Sequence, residues 1–148
     1  MPILRNQYAL DLSLDIVGDC TSGPVRALAN KNIHLWGRIQ DLVPQYDQHR
    51  VFIAPTRFAA GVPAKVIEAA CSGIPVVATP LLVSQLGWRA GHDILANNEP
   101  SAFASAIASL YTDPLLWRRI RDAMQKRTRR LYSVEQFSKT LRDIFEHR

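Results

Sequence analysis

The sequence predicts an α/β fold: a Rossmann-like parallel sheet flanked by helices, followed by a helical C-terminal segment. Three observations carry this. Short apolar runs at residues 12–17, 33–36, 51–54, 74–78 and 93–96 have the length and composition of buried parallel strands. Stretches with helical spacing or helix-start signals lie between them. Residues 99–148 keep a helical period throughout. Short strands alternating with helices imply right-handed crossovers and strands that all run the same way.

Taken in order, residues 1–9 are weakly patterned and fit a short helix or a loose arm. Residues 12–17 read as a strand, with Gly18 and Asp19 forming the turn after it. A short helix near residues 24–29 precedes a second strand at 33–36, which ends in Gly37. Asp41 stands at the start of a helix over 41–46, where a carboxylate accepts from free backbone N–H groups.

The central stretch, residues 51–79, reads as strand, loop, helix, strand. Pro55 ends the first strand, and the loop contains Gly61, free to take a positive φ. Pro63 suits a first helical turn, and Val66, Ile67 and Ala70 give the helix an apolar face. Gly73 is placed to end it in the left-handed conformation. The right-handed crossover puts the loop at the carboxyl edge of the sheet, where open α/β sheets bind ligands. A helix N-terminus there favours an anion such as a phosphate. Arg57 and Lys65 add two cations, and Glu68 lies three residues beyond Lys65 on the same side. Two readings fit that spacing. One is a solvated Lys65–Glu68 pair worth a few tenths of a kcal/mol. The other is a carboxylate for a ribose diol beside a helix terminus that holds a diphosphate.

Beyond Thr79 the last strand is expected around residues 93–96, and His92 reads as a surface-turn residue rather than a catalytic one. Pro100 starts a helix with Phe103, Ile107 and Leu110 on its apolar face. Asp113 and Pro114 start a second, with Leu115, Leu116, Ile120 and Met124 inward, and Ser133 caps a third, with Phe137, Leu141 and Ile144 inward. Arg118, Arg119, Arg121, Lys126, Arg127, Arg129 and Arg130 make the middle helix basic. A solvated face is the default for such a run, and contact with anionic lipid or an acidic partner is the alternative. Nucleic acid is the weakest reading, because Trp88 and Trp117 lack an alternating aromatic-basic layout.

At 148 residues the chain is long enough for a real core. A net charge of +5 is compatible with a nucleotide, an anionic lipid or nucleic acid, and composition does not choose among them. No stretch has the length of a membrane span or the pattern of a signal peptide. Cys20 and Cys71 are isolated thiols without metal-site spacing, and read as reduced, buried or semi-buried residues of a cytoplasmic protein.

The residues of the central stretch, in combination, resemble a known family. Pro55, Arg57, Ala60-Gly61-Val62, Lys65 to Ala69, Gly73 and Pro75 to Thr79 follow the pattern of the C-terminal, nucleotide-sugar-binding half of retaining GT-B glycosyltransferases, the group 1 or family 4 class. Leu14 to Gly18, Gly37 to Leu42, and Gly91 with Asp93 to Leu95 extend the resemblance over roughly residues 10 to 145. It implies a donor-binding domain over residues 1–148 that takes a nucleoside-diphosphate sugar as substrate, with no cofactor and no metal. On that resemblance Glu68 holds the ribose. Lys65, Arg57 and the amides from Gly61 and Val62 onward hold the diphosphate, and the backbone around Arg38 and Ile39 borders the base. No catalytic residue is expected from this half.

Several departures limit what the resemblance implies. Leu82 and Gln85 occupy glycine positions of a loop that follows the Thr79 strand in the family. The first of a glutamate pair falls at Ala60, leaving Glu68. The family's first strand and helix have no counterpart before residue 12, and neither does its acceptor-binding domain. In strand order 3-2-1-4-5-6 the missing strand is central, which predicts a seam with unpaired edges unless the flanking strands join directly. The expectation is therefore an enzyme half inactive alone, cytoplasmic or peripheral to the inner membrane face. Its rival is a non-catalytic fragment or split-enzyme half that binds a separate N-terminal half or self-associates.

Overall fold

The computed structural model of the protein describes residues 1–146. Its elements, in chain order, are α1 (Pro2–Tyr8), β1 (Leu14–Val17), α2 (Gly23–Arg26), β2 (Ile33–Gly37), α3 (Val43–Gln48), β3 (Phe52–Ala54) and α4 (Ala64–Ser72). After these come β4 (Val76–Ala78), α5 (Pro80–Leu86), β5 (Leu95–Ala96), α6 (Pro100–Thr112), α7 (Pro114–Tyr132) and α8 (Val134–Glu146). All five expected strands are present, and each pair of them is parallel. They do not make one sheet. β1 pairs with β2, and β3, β4 and β5 form a second sheet in that order. The break falls at the expected seam, so β1 and β3 each keep an unpaired edge among the described residues. The chain divides into two compact units, residues 1–45 and residues 46 onward.

In the first unit the β1–β2 ladder runs from Leu14 opposite Ile33 to Val17 opposite Gly37, with a register shift after Ile16. Ile33 and Leu35 are half-buried while His34 and Trp36 face solvent, so β2 is covered on one face only. Asp15 pairs with His34 at 2.7 Å on the neighbouring strand. α1 contributes Leu4, the only buried apolar side chain among this unit's described residues.

In the second unit the sheet is buried on both faces, as parallel sheets are. Ala54, Val76 and Ala78 face a core made by Val66, Ala69 and Ala70 of α4, Leu82, Val83 and Leu86 of α5, and Met124 of α7. On the other face Val77 packs with Leu110 of α6 and Ile120 of α7. Gly73 ends α4 with φ +79°, a left-handed conformation that favours glycine; a Cβ there would come within 2.7 Å of Gln125 Nε2, which a shift of that flexible side chain would relieve. Cys71 is exposed, against the expectation of a buried or semi-buried thiol, because α4 buries the face that carries Val66, Ala69 and Ala70. Asp113 accepts from the Leu115 and Leu116 amides at 2.8 and 3.0 Å, and Ser133 accepts from Gln136 N at 3.1 Å; both are the caps expected.

Asp93 organises the turn before β5. It is buried and accepts from the Arg89 amide at 3.0 Å, from Arg89 Nε at 3.1 Å and from Nη2 at 3.0 Å. His92 Nδ1 lies 2.9 Å from the same carboxylate, and His92 itself faces solvent as a turn residue does. Burial alone would raise the Asp93 pKa. The Arg89 and His92 bonds outweigh it and hold the carboxyl far below the usual carboxylate range.

The C-terminal helices correct two expectations. Leu115 is exposed rather than inward, because it sits at the first turn of α7, ahead of the packed positions Ile120 and Met124. Phe137, Leu141 and Ile144 are exposed too, and α8 has no buried residue. Their spacing is helical as expected, but nothing in the described chain covers that face. Of the basic residues of α7, Arg119 and Arg127 donate to the Gly91 and Gly87 carbonyls and Arg121 pairs with Asp122. The guanidinium groups of Arg50 and Arg121 both lie over the Trp117 ring, 5.6 and 5.2 Å from its centroid, and Trp88 is buried. Among the described residues no helix is long and apolar enough to cross a membrane.

Candidate functional site

The connection from β3 to α4, residues 55–63, leaves the carboxyl end of its strand, and Thr79 leaves that of β4 beside it. Three side chains fasten the loop. Thr79 Oγ1 donates to the Thr56 carbonyl at 2.7 Å, Lys65 Nζ donates to Thr56 Oγ1 at 2.7 Å, and Gln85 Nε2 donates to the Ala59 carbonyl at 2.9 Å. Gly61 has φ +82°, a conformation that strains any side chain-bearing residue. Pro63 proves to be the N-cap rather than a residue of the first turn. No side chain caps α4, and its first turn has no acidic residue. The Ala64 amide bonds back to Val62 O at 2.9 Å. The amides of Gly61, Val62 and Lys65 have no hydrogen bond among the described residues. They are donors at an uncapped, positive helix end, the arrangement that accepts an anion.

Glu68 and Arg57 are exposed, and among the described residues neither holds a hydrogen bond or ion pair. The solvated Lys65–Glu68 pair is therefore not formed, since Lys65 reaches back to Thr56 instead. Glu68 does act on Tyr46, whose half-buried phenol is pushed up by burial and then by the Glu68 charge. Tyr46 also meets Phe52 edge to face, with ring centroids 6.0 Å apart, which settles the C-terminal turn of α3 against β3.

Arg38 and Ile39 belong to the other unit. There the turns at Gly18 and Gly37, joined by a 2.8 Å backbone bond, border a cleft of about 620 Å³ that Asp19, Arg26, Trp36 and Arg38 also line. Arg38 is exposed, its guanidinium 3.9 Å from the Asp19 carboxylate. Asp19 is held by the hydroxyl and amide of Thr21, which lower its pKa. Among the described residues no three His, Cys, Asp or Glu side chains gather as metal ligands.

Where the resemblance implies a glycine loop after Thr79, the chain forms helix α5. Leu82 is a core residue of α5, and Gln85 is the loop's third fastening. Thr56, Tyr46 and Gln85 join the site through space, and Gln85 reaches a carbonyl 26 residues away, a link no local pattern signals. Gln85→Ala is expected to cost about 0.5–1.5 kcal/mol and to speed amide exchange selectively in residues 57–62. Unchanged exchange there, measured by mass spectrometry, would show that the bond does not fasten the loop.

The fold is similar to that of several glycosyltransferases. A glycosyltransferase from Rickettsia africae superposes with a TM-score of 0.80 at 17% identity, over 98% of this chain and 42% of that one. The pneumococcal O-GlcNAc transferase, solved with UDP and GlcNAc, gives 0.69 at 20% identity, over 97% and 31%. Sucrose-phosphate synthase from Thermosynechococcus elongatus gives 0.72 at 20% identity, over 92% and 39%. The chain thus spans less than half the length of each. No curated protein matches it in sequence. Residues 1–113, most of the chain, match the family described as glycosyl transferases group 1, and the chain belongs to that family.

Proposed function

We propose that this chain is the C-terminal donor-binding domain of a retaining glycosyltransferase, which holds a nucleoside-diphosphate sugar for transfer to an acceptor. The observation that carries the reading is the uncapped N-terminus of α4, with the free amides of Gly61, Val62 and Lys65 and the unpaired Arg57 and Glu68 on the same connection. The amides, Arg57 and Lys65 take the diphosphate and stabilise it as charge develops on the leaving group. Glu68 accepts from the ribose hydroxyls. A donor of this kind and two unbridged thiols fit a cytoplasmic protein. The acceptor is bound elsewhere, so the chain alone transfers no sugar.

Calorimetric titration with uridine, guanosine and adenosine diphosphates tests this. One of them is expected to bind with a Kd on the order of 0.1–1 mM. Glu68→Ala should weaken that binding by about tenfold, the loss of one charge-assisted bond, with the melting temperature unchanged because the carboxylate is exposed and unbonded. Lys65→Ala should weaken diphosphate binding, leave a free nucleoside unaffected and cost about 0.5–1.5 kcal/mol through its bond to Thr56. No binding at millimolar concentration, or Glu68→Ala binding like the wild type, overturns the proposal.

A second reading is favoured by the unpaired edges of β1 and β3. Such edges present a row of free backbone donors and acceptors to another strand, and a partner-binding half of a split enzyme would use them.

A further inference from the structure

Three side-chain hydrogen bonds meet at the loop between β3 and α4, and one differs in kind from the others. Thr79 Oγ1 and Gln85 Nε2 donate to backbone carbonyls, those of Thr56 and Ala59, so both hold the chain itself. The third joins two side chains, Lys65 Nζ donating to Thr56 Oγ1 at 2.7 Å. Neither backbone takes part in it. What that bond holds is the Lys65 ammonium.

Thr56 is itself firmly placed. The chain reaches it from β3 through Ala54, which is buried, and Pro55, whose ring fixes its φ. Its carbonyl is tied at 2.7 Å to the hydroxyl of Thr79, a buried residue at the end of β4. Lys65 is the opposite case, an exposed side chain on a flexible four-carbon stem. Helical side chains lean toward the N-terminus of their helix, so from the first turn of α4 this one reaches back to the loop. Without a partner there it would sample solvent and Glu68, three residues on. We infer that Thr56 is a positioning residue of the diphosphate site, whose hydroxyl holds the Lys65 ammonium at the loop before a ligand arrives. The inference rests on the donor-binding reading proposed above. An ammonium has three donors; Thr56 takes one, which leaves two for phosphate oxygens. A cation fixed in advance loses little freedom when the anion binds, so more of its charge-assisted bonding shows as affinity.

Thr56→Val keeps the branched shape and removes the hydroxyl. The full chain is titrated calorimetrically with whichever of uridine, guanosine and adenosine diphosphate binds the wild type tightest. Thr56→Val should raise the dissociation constant about three- to tenfold, the value of one side chain immobilised in advance. Thr56→Ser, which restores the hydroxyl, should bind within about twofold of the wild type. In a Lys65→Ala chain the same Thr56→Val change should add less than about twofold, because Thr56 acts through the ammonium. Amide exchange in residues 57–62 should match the wild type in Thr56→Val, since both bonds to backbone carbonyls remain, in contrast to Gln85→Ala. Thr56→Val binding like the wild type overturns the inference and leaves the donor-binding reading standing. An equal loss with and without Lys65 overturns it too, by showing that the hydroxyl meets the ligand itself. Quickened exchange in residues 57–62 does the same, by making Thr56 a fastening of the loop. A wild type that binds none of the three diphosphates overturns the donor-binding reading and the inference together.

Discussion

Leu82→Gly is expected to destabilise the protein by about 3–6 kcal/mol, although glycine is the residue that the sequence resemblance implies at this position. Two effects add. Leu82 is fully buried in the core cluster that α5 shares with β4, α4 and α7, and truncating such a side chain to alanine costs about 2–5 kcal/mol in lost transfer energy and residual cavity. Glycine within a helix costs about 1 kcal/mol more than alanine, and position 82 lies inside α5. Against a total stability of about 5–15 kcal/mol this is a large fraction, and at this chain length it lowers the melting temperature by roughly 10–20 °C. Leu82→Met keeps the volume and should cost less than about 1.5 kcal/mol. Thermal denaturation of the three proteins decides the matter. A Leu82→Gly chain melting within about 2 °C of the wild type would mean that residues 80–86 do not pack as a helix.

Asp93→Asn should cost about 2–3 kcal/mol, the value of charge-assisted bonds whose acceptor is buried. Arg89 on the other side is largely exposed and regains water, which keeps the loss below that of a fully buried pair. The pH dependence gives the substitution a distinct signature. The folded-state pKa of Asp93 lies below its unfolded value. Its contribution is therefore complete above the unfolded pKa, near 4, and is lost as the pH falls from there through the folded value. Denaturant titrations at pH 7, 5, 4 and 3 should show the wild type losing stability over the acid part of that range and Asp93→Asn losing less. Parallel acid profiles for the two proteins would show that the Arg89–Asp93 contact is not the source of the shift.

Much of the fold was legible because its signals act within a few residues. Asp41, Asp113 and Ser133 cap helices where the sequence places them, accepting from amides two or three positions ahead. Gly73 ends α4 in a left-handed φ that other residues adopt only with strain. The five strands lie within about two residues of their expected positions and are parallel within each sheet, as apolar runs joined by helical crossovers should be. The candidate loop could be located for the same reason, as it begins at Pro55 and ends at Pro63 and both residues constrain their own backbone.

What lay across space was decided by the tertiary structure. Whether β1 and β3 would join is a matter of long-range strand pairing, and they belong to separate sheets. Lys65 has the spacing to pair with Glu68, yet a hydroxyl brought in by the end of β3 claims it. Gln85 becomes part of the site only because α5 carries it to the Ala59 carbonyl. α8 has the apolar period of a buried helix and stands uncovered, because a period states which face is apolar and nothing about what meets it. Caps, turns and periodicity are interactions of a chain with its own near neighbours and can be read along it. Strand partnership, burial and side-chain partnership are interactions with whatever the fold brings opposite, and they exist only once it has formed.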